Sequence, residues 1–308
     1  MSNLHEDIDN YLSVRRALGY KLERDERFLH DFAAFLEQSG SATITTALAV
    51  AWAMQPAGAN PSWWAGRLGS IRVFAKHQHA ISPLTEIPPD DILTQQSRRA
   101  DPYIYTDEEI VALQTAARSI RSPLKAATYE TLIGLLTVTG MRVGEAINLD
   151  CNDVDWRDGL IVVRQAKFNK TRQLPLHTSS IEALRCYQQI RNKLCPKSST
   201  AAFFVSTTGT RLLYENVQQC FHRLTRQVAI VARNPRCRPR IHDLRHRFAV
   251  MTLIRWYRDG CNIDAELPKL STYLGHVSPS STYWYLTATP ELMSVTAQRL
   301  EQAREMTS

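Results

Sequence analysis

The stretch "GLIVVRQAKFNKTRQLPLH", residues 159–177, interrupts a chain whose apolar residues otherwise follow helical spacing. Its first part is rich in β-branched residues, its second part alternates, and the polar turn "KFNKT" separates them, which predicts a hairpin of two antiparallel strands. The segment "AAFFVS", residues 201–206, is the candidate for a third strand. The expected fold class is therefore mainly α with a small antiparallel β-sheet (α+β).

The first hundred residues contain four predicted helices. Apolar residues recur at helical spacing in "NLHEDIDNYLSVRRALGY" and "ERDERFLHDFAAFLEQSG", and both segments end at a glycine. Two further helices are predicted at "TTALAVAWAM" and at "PSWWAGRLGSIRVFAKHQHA", the second with Pro61 at its start. Four short amphipathic helices in succession indicate a small helical bundle.

The composition changes after the fourth predicted helix. Proline, glutamine and charge dominate "PPDDILTQQSRRADPYIYTDEE", and Thr106 with Glu109 forms a capping box that opens the next helix. We predict a helical domain at residues 1–95, a linker at 96–103 and a second domain at 104–308. A chain of 308 residues is long enough for two domains, each with its own core.

The net charge of +7 is unevenly distributed along the chain. Residues 1–100 hold 10 basic and 11 acidic residues, whereas the remainder holds 27 basic and 19 acidic residues. An excess of positive charge confined to one part of a chain favours a polyanionic partner such as a nucleic acid.

Several classes of protein are disfavoured by composition. No apolar run approaches 18 residues and the N-terminus is polar, so we expect neither a membrane span nor a signal peptide. The six cysteines are scattered without a CxxC pair, which indicates reduced thiols in a cytosolic protein. The sequence lacks a spaced Asp/Glu cluster for two metal ions and lacks a P-loop, so no metal and no cofactor is expected.

The fourth predicted helix carries both aromatic and cationic residues. They are Trp63, Trp64, Arg67, Arg72 and Lys76. One interpretation places the tryptophans in the core and the cations in solvent. The other places Arg67, Arg72 and Lys76 on a DNA backbone, and the sequence leaves both open.

Four clusters in the second domain carry side chains suited to phosphate chemistry. Arg142 follows Gly140 at the predicted start of a helix, where free backbone N–H groups and a guanidinium together form an anion pocket, and Glu145 can orient it. His242 and Arg245 are spaced i, i+3, which puts both on one helix face and suits a phosphate clamp. Each cluster alone has an ordinary structural explanation.

The two other clusters contain a lysine and a tyrosine. Lys167 stands at the end of the predicted first strand, with Lys170 as its nearby competitor. In "STYLGHVSPSSTYWYL", Tyr285 follows His276 by nine residues. Basic residues that can follow a DNA backbone surround these clusters, namely Lys170, Arg172, Arg238 and Arg240, and His246 and Arg247 extend the basic patch after Arg245.

Together these clusters resemble the tyrosine recombinase, or phage integrase, family. The family signature comprises an arginine in "TG-x-R-x-x-E", a lysine in a β-hairpin, "H-x-x-R", and "L-G-H" with a tyrosine nine residues after that histidine. The matching positions here are Arg142, Lys167, His242, Arg245, His276 and Tyr285. The resemblance runs from about residue 103 to the end, and the N-terminal domain is similar to the family's core-binding domain by position and type only.

The resemblance implies a mechanism that needs no metal. Tyr285 would attack a DNA phosphate and form a 3′-phosphotyrosyl link, while Arg142 and Arg245 clamp the phosphate. Lys167 would be the general acid for the leaving 5′-oxygen, and Glu145 would orient Arg142. His242 and His276 would hydrogen-bond the phosphate and help to manage the tyrosine proton.

The resemblance also implies partners. They are a double-stranded DNA recombination site and further copies of the same chain, which would form a tetramer in the synapse. Whether the protein is a monomer in solution and whether other recombinases take part stay open. The segment after Pro290 is amphipathic and suits either exchange with a neighbouring protomer or packing on its own domain. The expected location is the prokaryotic cytosol, at the nucleoid.

The function expected is site-specific recombination for a mobile genetic element. Two alternatives stay open, a type IB topoisomerase-like enzyme and a catalytically silent DNA-binding regulator of the same fold. Pro279 and the long polar segment between the "HDLRH" and "YLGH" motifs depart from the family pattern and indicate a divergent subgroup.

Overall fold

A computed structural model describes residues 4–93, 101–166, 170–196, 198–276, 278 and 280–287. The chain divides into two compact units, an N-terminal unit at Met1–Arg99 and a C-terminal unit at Ala100–Ser308. Most described residues are helical and the strands form one small antiparallel sheet, so the predicted fold class is confirmed. Residues 94–100 lie outside the described residues, and the boundaries of the linker stay a prediction.

The N-terminal unit contains the helices α1 (Leu4–Ala17), α2 (Glu23–Gln38), α3 (Thr46–Met54) and α4 (Pro61–Ile81). The described helices of the C-terminal unit are α5 (Asp107–Arg118), α6 (Pro123–Thr139), α7 (Val143–Ile147), α8 (Thr178–Leu194), α9 (Tyr214–Gln227), α10 (Asp243–Arg258), α11 (Ile263–Leu274) and α12 (Ser280–Tyr283). The strands are β1 (Val154–Asp155), β2 (Leu160–Ala166) and β3 (Lys170–Pro175), and short 3₁₀-helices lie at Cys151–Asp153 and Trp284–Thr287.

The four predicted N-terminal helices are present, and their local signals explain their bounds. Thr45 accepts a hydrogen bond from the Leu48 backbone N–H at the start of α3, and Asn60 does the same for Ser62 at the start of α4. The predicted apolar stripe of α2 faces the core of this unit, with Phe28, Leu29, Phe32 and Leu36 all buried.

Arg67 and Arg72 of α4 are engaged in contacts inside the N-terminal unit, and a contact of either residue with DNA stays a prediction. Arg67 is buried, its Cζ lies 3.7 Å from the ring centroid of Trp52, and its Nη2 donates to the Trp52 carbonyl at 3.2 Å. Arg72 donates to the carbonyls of Pro88 and Pro89, both at 2.7 Å. Lys76 is exposed, as a DNA contact requires.

The hairpin is present as two antiparallel strands, and β1 rather than "AAFFVS" supplies the third strand. Within the described residues the sheet order is β1-β2-β3, with Ile161 opposite Leu174 and Val163 opposite Arg172. Phe203 and Phe204 are instead fully buried in the core. A short apolar run can form a strand or can fill the core without forming one, and here the two phenylalanines fill the core.

Helix α6 organises the C-terminal unit, because α5, α8 and α10 all pack against it. The predicted capping box of Thr106 and Glu109 opens α5. Gly140 ends α6 in the left-handed conformation, with φ of 59°, and a Cβ at this position would lie 2.5 Å from Phe248 of α10. This close approach brings the residues after α6 to the start of α10. None of the described helices combines the length and apolarity needed to cross a bilayer.

Candidate active site

Three arginines from separate elements converge on the turn that ends α11. Carbonyls at the C-terminal end of a helix have no partner inside the helix and carry the negative end of its dipole, so guanidinium groups bind them well. The three bonds are Arg172 Nε to the Tyr273 carbonyl (2.8 Å), Arg245 Nη2 to the Leu274 carbonyl (2.8 Å) and Arg142 Nη2 to the Gly275 carbonyl (3.0 Å). Three successive carbonyls are thereby held immediately before His276.

Glu145 joins two of these arginines. Its Oε1 accepts from Arg142 Nη1 at 2.8 Å and from Arg172 Nη1 at 3.0 Å, and its Oε2 accepts from Arg172 Nη2 at 2.7 Å. Burial by itself would raise the pKa of Glu145, but the hydrogen bonds and charges of Arg172 and Arg142 outweigh burial and lower the pKa to about 2. Glu145 therefore orients Arg142 in the structure, as the sequence predicts, and orients Arg172 as well.

We expect Glu145→Gln to destabilise the protein in a pH-dependent way. A pKa lowered from 4.5 to about 2 corresponds to about 3 kcal/mol of stability. This contribution is present in full above pH 4.5 and is lost as the pH falls towards 2, because the carboxylate becomes protonated in the folded protein. Urea unfolding of the parent and the variant between pH 7 and pH 2 measures the difference.

The difference between parent and Glu145→Gln should shrink as the solution is acidified. Glu266→Gln is the matched control, because Glu266 pairs with Lys269 on the surface of α11 and should change stability by less than about 1 kcal/mol. A loss for Glu145→Gln that stays constant from pH 7 to pH 2 would show that packing rather than charge is responsible.

Arg245 is the most deeply buried of the three arginines, with 3% of its surface exposed. Its Nη1 donates to the Gly140 carbonyl at 2.9 Å, which ties the first turn of α10 to the end of α6. Burial lowers the pKa of Arg245 to about 10 and the charge of Arg142 acts in the same direction, whereas Tyr285 and Glu145 oppose them. Tyr285 is thus within electrostatic range of this guanidinium.

Tyr285 lies in the 3₁₀-helix Trp284–Thr287 and is only 1% exposed. Its hydroxyl lies 3.0 Å from Nδ1 of His246. The ring of His276 stacks on it at an angle of 17°, with 6.2 Å between centroids. His276 is itself held by its Nδ1, which lies 2.6 Å from Oγ1 of Thr282.

Most of the residues predicted as catalytic are brought together. Arg142, His242, Arg245, His276 and Tyr285 come from α7, the start of α10, the end of α11 and the 3₁₀-helix that carries the tyrosine. Lys167 lies outside the described residues. Within the described residues, no group of three or more His, Cys, Asp or Glu side chains could hold a metal ion.

The residues predicted as DNA contacts in this unit divide into two groups. Arg238 is exposed and Lys170 begins β3. Arg240 instead forks onto Asp243, with Nη2 to Oδ1 at 2.8 Å, and Arg172 is held at the α11 turn with 11% of its side chain exposed. The hydrogen bonds of Arg172 go to Tyr273 and Glu145 at the site, and its predicted contact with DNA stays a prediction.

His246 and Arg247 are buried rather than part of an exposed basic patch. Arg247 donates to the Tyr105 carbonyl at 2.8 Å and is paired with Asp107. His246 faces Tyr285, a role that sequence reasoning missed. The sequence could have indicated that Arg172 faces the protein interior. Arg172 lies two residues before Leu174 and therefore on the same face of the hairpin, and Leu174 is fully buried opposite Ile161.

We expect Gly275→Ala to disturb the three-arginine turn. Gly275 has φ of +67°, and an added Cβ would lie 2.9 Å from Nη1 of Arg172, whose guanidinium cannot move without breaking its bonds to Glu145. Gly260→Ala is the matched control, because Gly260 has φ of +72° with no atom within 4 Å of the added Cβ. Both variants should lose about 1 kcal/mol in urea unfolding from backbone strain.

On the expectation from the resemblance that Tyr285 attacks DNA, only Gly275→Ala should also slow covalent attachment to DNA, by about tenfold or more, since misplacing a reacting group by a fraction of an ångström is costly. The measurement is the rate of DNA–protein adduct formation at saturating DNA. Equal rates for the two variants would show that the Arg172 contact does not position the site.

Comparison with known proteins identifies relatives of both sequence and fold. The family described as "Phage integrase family" matches residues 104–292. The Sinorhizobium fredii protein named "Putative integrase/recombinase y4rB" is 43% identical over 99% of this chain and 99% of its own length. Tyrosine recombinase XerC of Mycobacterium tuberculosis is 28% identical over 92% of this chain and 94% of its own length.

Solved structures of similar fold include the integrase of transposon Tn1549 in complex with a circular intermediate DNA. It is 17% identical with a TM-score of 0.67, and the match covers 97% of this chain and 100% of that one. XerH recombinase bound to its difH substrate is 19% identical with a TM-score of 0.62 over 90% of this chain and 77% of that one. The matching family, the 43% identical relative and the arginines gathered beside Tyr285 agree, and the chain belongs to the phage integrase family of site-specific tyrosine recombinases.

Proposed function

We propose that this recombinase cleaves DNA with Tyr285, which attacks a backbone phosphorus and forms a 3′-phosphotyrosyl bond while a 5′-hydroxyl leaves. The observation that carries the proposal is that Arg142 and Arg245 converge on the turn immediately before His276, whose ring stacks on Tyr285. These groups come from distant parts of the chain and have in common an affinity for phosphate oxygens.

The arginines supply the electrostatic stabilisation that the reaction needs. A phenol with a pKa near 10 is ionised in only about one molecule in a thousand at neutral pH, which costs roughly 4 kcal/mol. Attack also builds negative charge on the two non-bridging oxygens of the phosphate. Arg142 and Arg245 are preorganised by backbone carbonyls, so they can bind that charge without rearranging in the transition state.

The remaining groups take part in the proton transfers or hydrogen-bond the phosphate oxygens. We assign to His242 and His276 hydrogen bonds to the phosphate, and to Lys167 the protonation of the leaving 5′-oxygen. Lys76, Lys170 and Arg238 are candidates for contacts to the DNA backbone outside the reacting phosphate.

One active site cleaves one strand, so exchange between two duplexes requires four active sites. We propose that four copies assemble on two DNA sites, either as identical protomers or with a second recombinase. The amphipathic segment after Pro290, the expected link between protomers, lies outside the described residues. Double-stranded DNA is the substrate in either arrangement.

We propose that the protein integrates or excises a mobile genetic element in the prokaryotic cytosol, at the nucleoid. This role is supported by the 43% identical relative, which is named as an integrase/recombinase and is matched over 99% of its own length. Positive charge concentrated after residue 100 is consistent with DNA as the partner of the C-terminal unit.

Trapping the covalent intermediate tests the proposal and maps the target site in the same experiment. Purified full-length protein is incubated with randomly nicked DNA from either side of its gene, because a nick near the cleaved phosphate lets the short 5′-hydroxyl fragment diffuse away. Denaturant-resistant protein–DNA complexes are captured and the DNA ends are sequenced. Peptide mapping then locates the nucleotide on the protein.

The expected result is one dominant cleavage position in the DNA and one modified peptide, which contains Tyr285. A nucleotide attached to any other residue would overturn the assignment of the nucleophile. Relaxation of supercoiled plasmid without joining of two duplexes that both carry the mapped site would favour a topoisomerase activity. Binding to the same site without any covalent product would favour a silent regulator.

A further inference from the structure

We propose that His246, rather than His242 or His276, accepts the proton of the Tyr285 hydroxyl during attack. The inference rests on the proposed role of Tyr285 as the nucleophile. Its basis is geometric, because Nδ1 of His246 lies 3.0 Å from the Tyr285 hydroxyl oxygen and both side chains are almost fully buried. A base must lie within hydrogen-bond reach of the proton that it removes.

The two histidines of the family signature are placed differently around Tyr285. The ring of His276 lies nearly parallel to the Tyr285 ring, and its Nδ1 is engaged with Thr282 at 2.6 Å. The ring of His242 packs edge-on against His246, with 4.9 Å between centroids. Both are therefore placed beside the His246–Tyr285 pair, where they are suited to binding phosphate oxygens.

The opposite side of His246 faces an acidic group. Its Nε2 lies 3.9 Å from Oδ1 of Asp243, which is fully buried one helical turn earlier on α10 and is held by Arg240. An acceptor role for Nδ1 requires the hydrogen on Nε2, the side that faces the carboxylate. At 3.9 Å the carboxylate is an ion-pair partner of His246 and not a hydrogen-bond partner, and its charge favours the imidazolium that forms when His246 takes the proton.

The step can be written so that protons and bonds balance. The O–H bond of Tyr285 breaks and its proton moves to Nδ1 of His246, while the phenolic oxygen bonds to phosphorus. The bond from phosphorus to the 5′-oxygen breaks, and that oxygen takes a proton, which we assign to Lys167. In the rejoining step the 5′-hydroxyl gives its proton back to Lys167 and bonds to phosphorus, the bond from phosphorus to Tyr285 breaks, and His246 returns its proton to the departing oxygen of Tyr285.

His246→Asn tests the proposal because an asparagine amide can still hydrogen-bond the Tyr285 hydroxyl but cannot accept its proton. We expect adduct formation at saturating DNA to slow by about 100-fold, the usual contribution of a general base. His246→Phe, which removes the hydrogen bond as well, should be at least as slow. His222→Asn, an exposed position on α9, is the surface control and should react at the parent rate.

A second measurement separates lost basicity from a misplaced tyrosine. Replacing Tyr285 with fluorotyrosine, whose hydroxyl is more acidic, should restore the His246→Asn variant by about tenfold more than it accelerates the parent, because proton removal then needs less help. A misplaced tyrosine would respond to fluorination by the same factor in both proteins. Binding to the mapped DNA site, measured by gel shift, confirms that the variants are folded.

Each outcome decides the proposal. A 100-fold loss with selective recovery by fluorotyrosine supports it. An unchanged rate overturns it, as does a 100-fold loss without selective recovery. A faster rate for His246→Asn also overturns it, since the hydrogen bond would then hold Tyr285 in reserve. Failure of the proposed function itself is distinct, because the parent would form no adduct at Tyr285 at all.

Discussion

Tyr285→Phe should abolish the covalent DNA–protein adduct while leaving DNA binding within about threefold of the parent. The substitution removes one oxygen atom, and the ring can stay in its buried position beside His276 and Trp284. Without the hydroxyl, residue 285 cannot form a bond to phosphorus. Adducts are counted after denaturing electrophoresis on nicked substrate, and binding is measured by gel shift on intact substrate.

Two controls make this result specific to the hydroxyl at position 285. Tyr283→Phe removes a hydroxyl two residues away on a side chain that is 49% exposed, and it should react at the parent rate. Tyr285→Phe should also lose about 1–3 kcal/mol of stability, because His246 loses a buried hydrogen-bond partner. Any denaturant-resistant adduct formed by Tyr285→Phe would disprove the assignment of the nucleophile.

Arg245→Lys is expected to slow adduct formation by about 1000-fold, although the positive charge is kept. The guanidinium bonds the Gly140 and Leu274 carbonyls with separate nitrogens, and three of its five N–H groups are not used by these two bonds. Lysine has one nitrogen, which cannot reach both carbonyls and present a planar fork to phosphate. Losing a preorganised donor to a transition-state oxyanion typically costs 10²–10³ in rate.

The matched control is Arg247→Lys on the same helix. Arg247 is also buried and also makes two hydrogen bonds with separate nitrogens, one to the Tyr105 carbonyl and one to Asp107. It lies outside the proposed active site. Both variants should be destabilised to a similar extent in urea unfolding, and only Arg245→Lys should lose catalysis. Rates are compared at a temperature where both variants are fully folded, and equal rates would exclude a role for Arg245 beyond structure.

The secondary structure was predictable wherever its causes are local. The helical stripe of α2, the cap of α5 and the hairpin follow from residues only a few positions apart. "AAFFVS" was a candidate for the third strand and does not join the sheet, because a short apolar run carries no information about which neighbour covers it. In the folded chain Phe203 and Phe204 pack against Tyr187 of α8.

The candidate site was predictable in its members but not in their partners. The order and spacing of the signature residues led to Arg142, Arg245, His276 and Tyr285 without any structure. The positive charges of the arginines were misleading, because a cationic residue in a sequence suggests exposure to solvent or contact with DNA. Arg67 shows this most clearly, since its guanidinium lies over Trp52 inside the helical bundle.

His246 illustrates a second reason why a sequence does not identify the partners of a site residue. Its position on α10, one turn after His242, was visible, but its partner Tyr285 lies 39 residues further along the chain. Nothing in the local sequence specifies which of the nearby histidines will face the hydroxyl. That choice depends on how α10 and the 3₁₀-helix at Trp284–Thr287 pack.

The sequence by itself determined the family, the helices and the set of groups able to act on a phosphate, because spacing and residue type are local properties. Only the tertiary structure decided that Arg172 belongs to the site, that three arginines share one turn and that His246 faces Tyr285. Hydrogen bonds act over about 3 Å and in fixed directions, whereas Arg142 and Gly275 are 133 residues apart in the chain. Folding must bring such pairs together before their geometry exists.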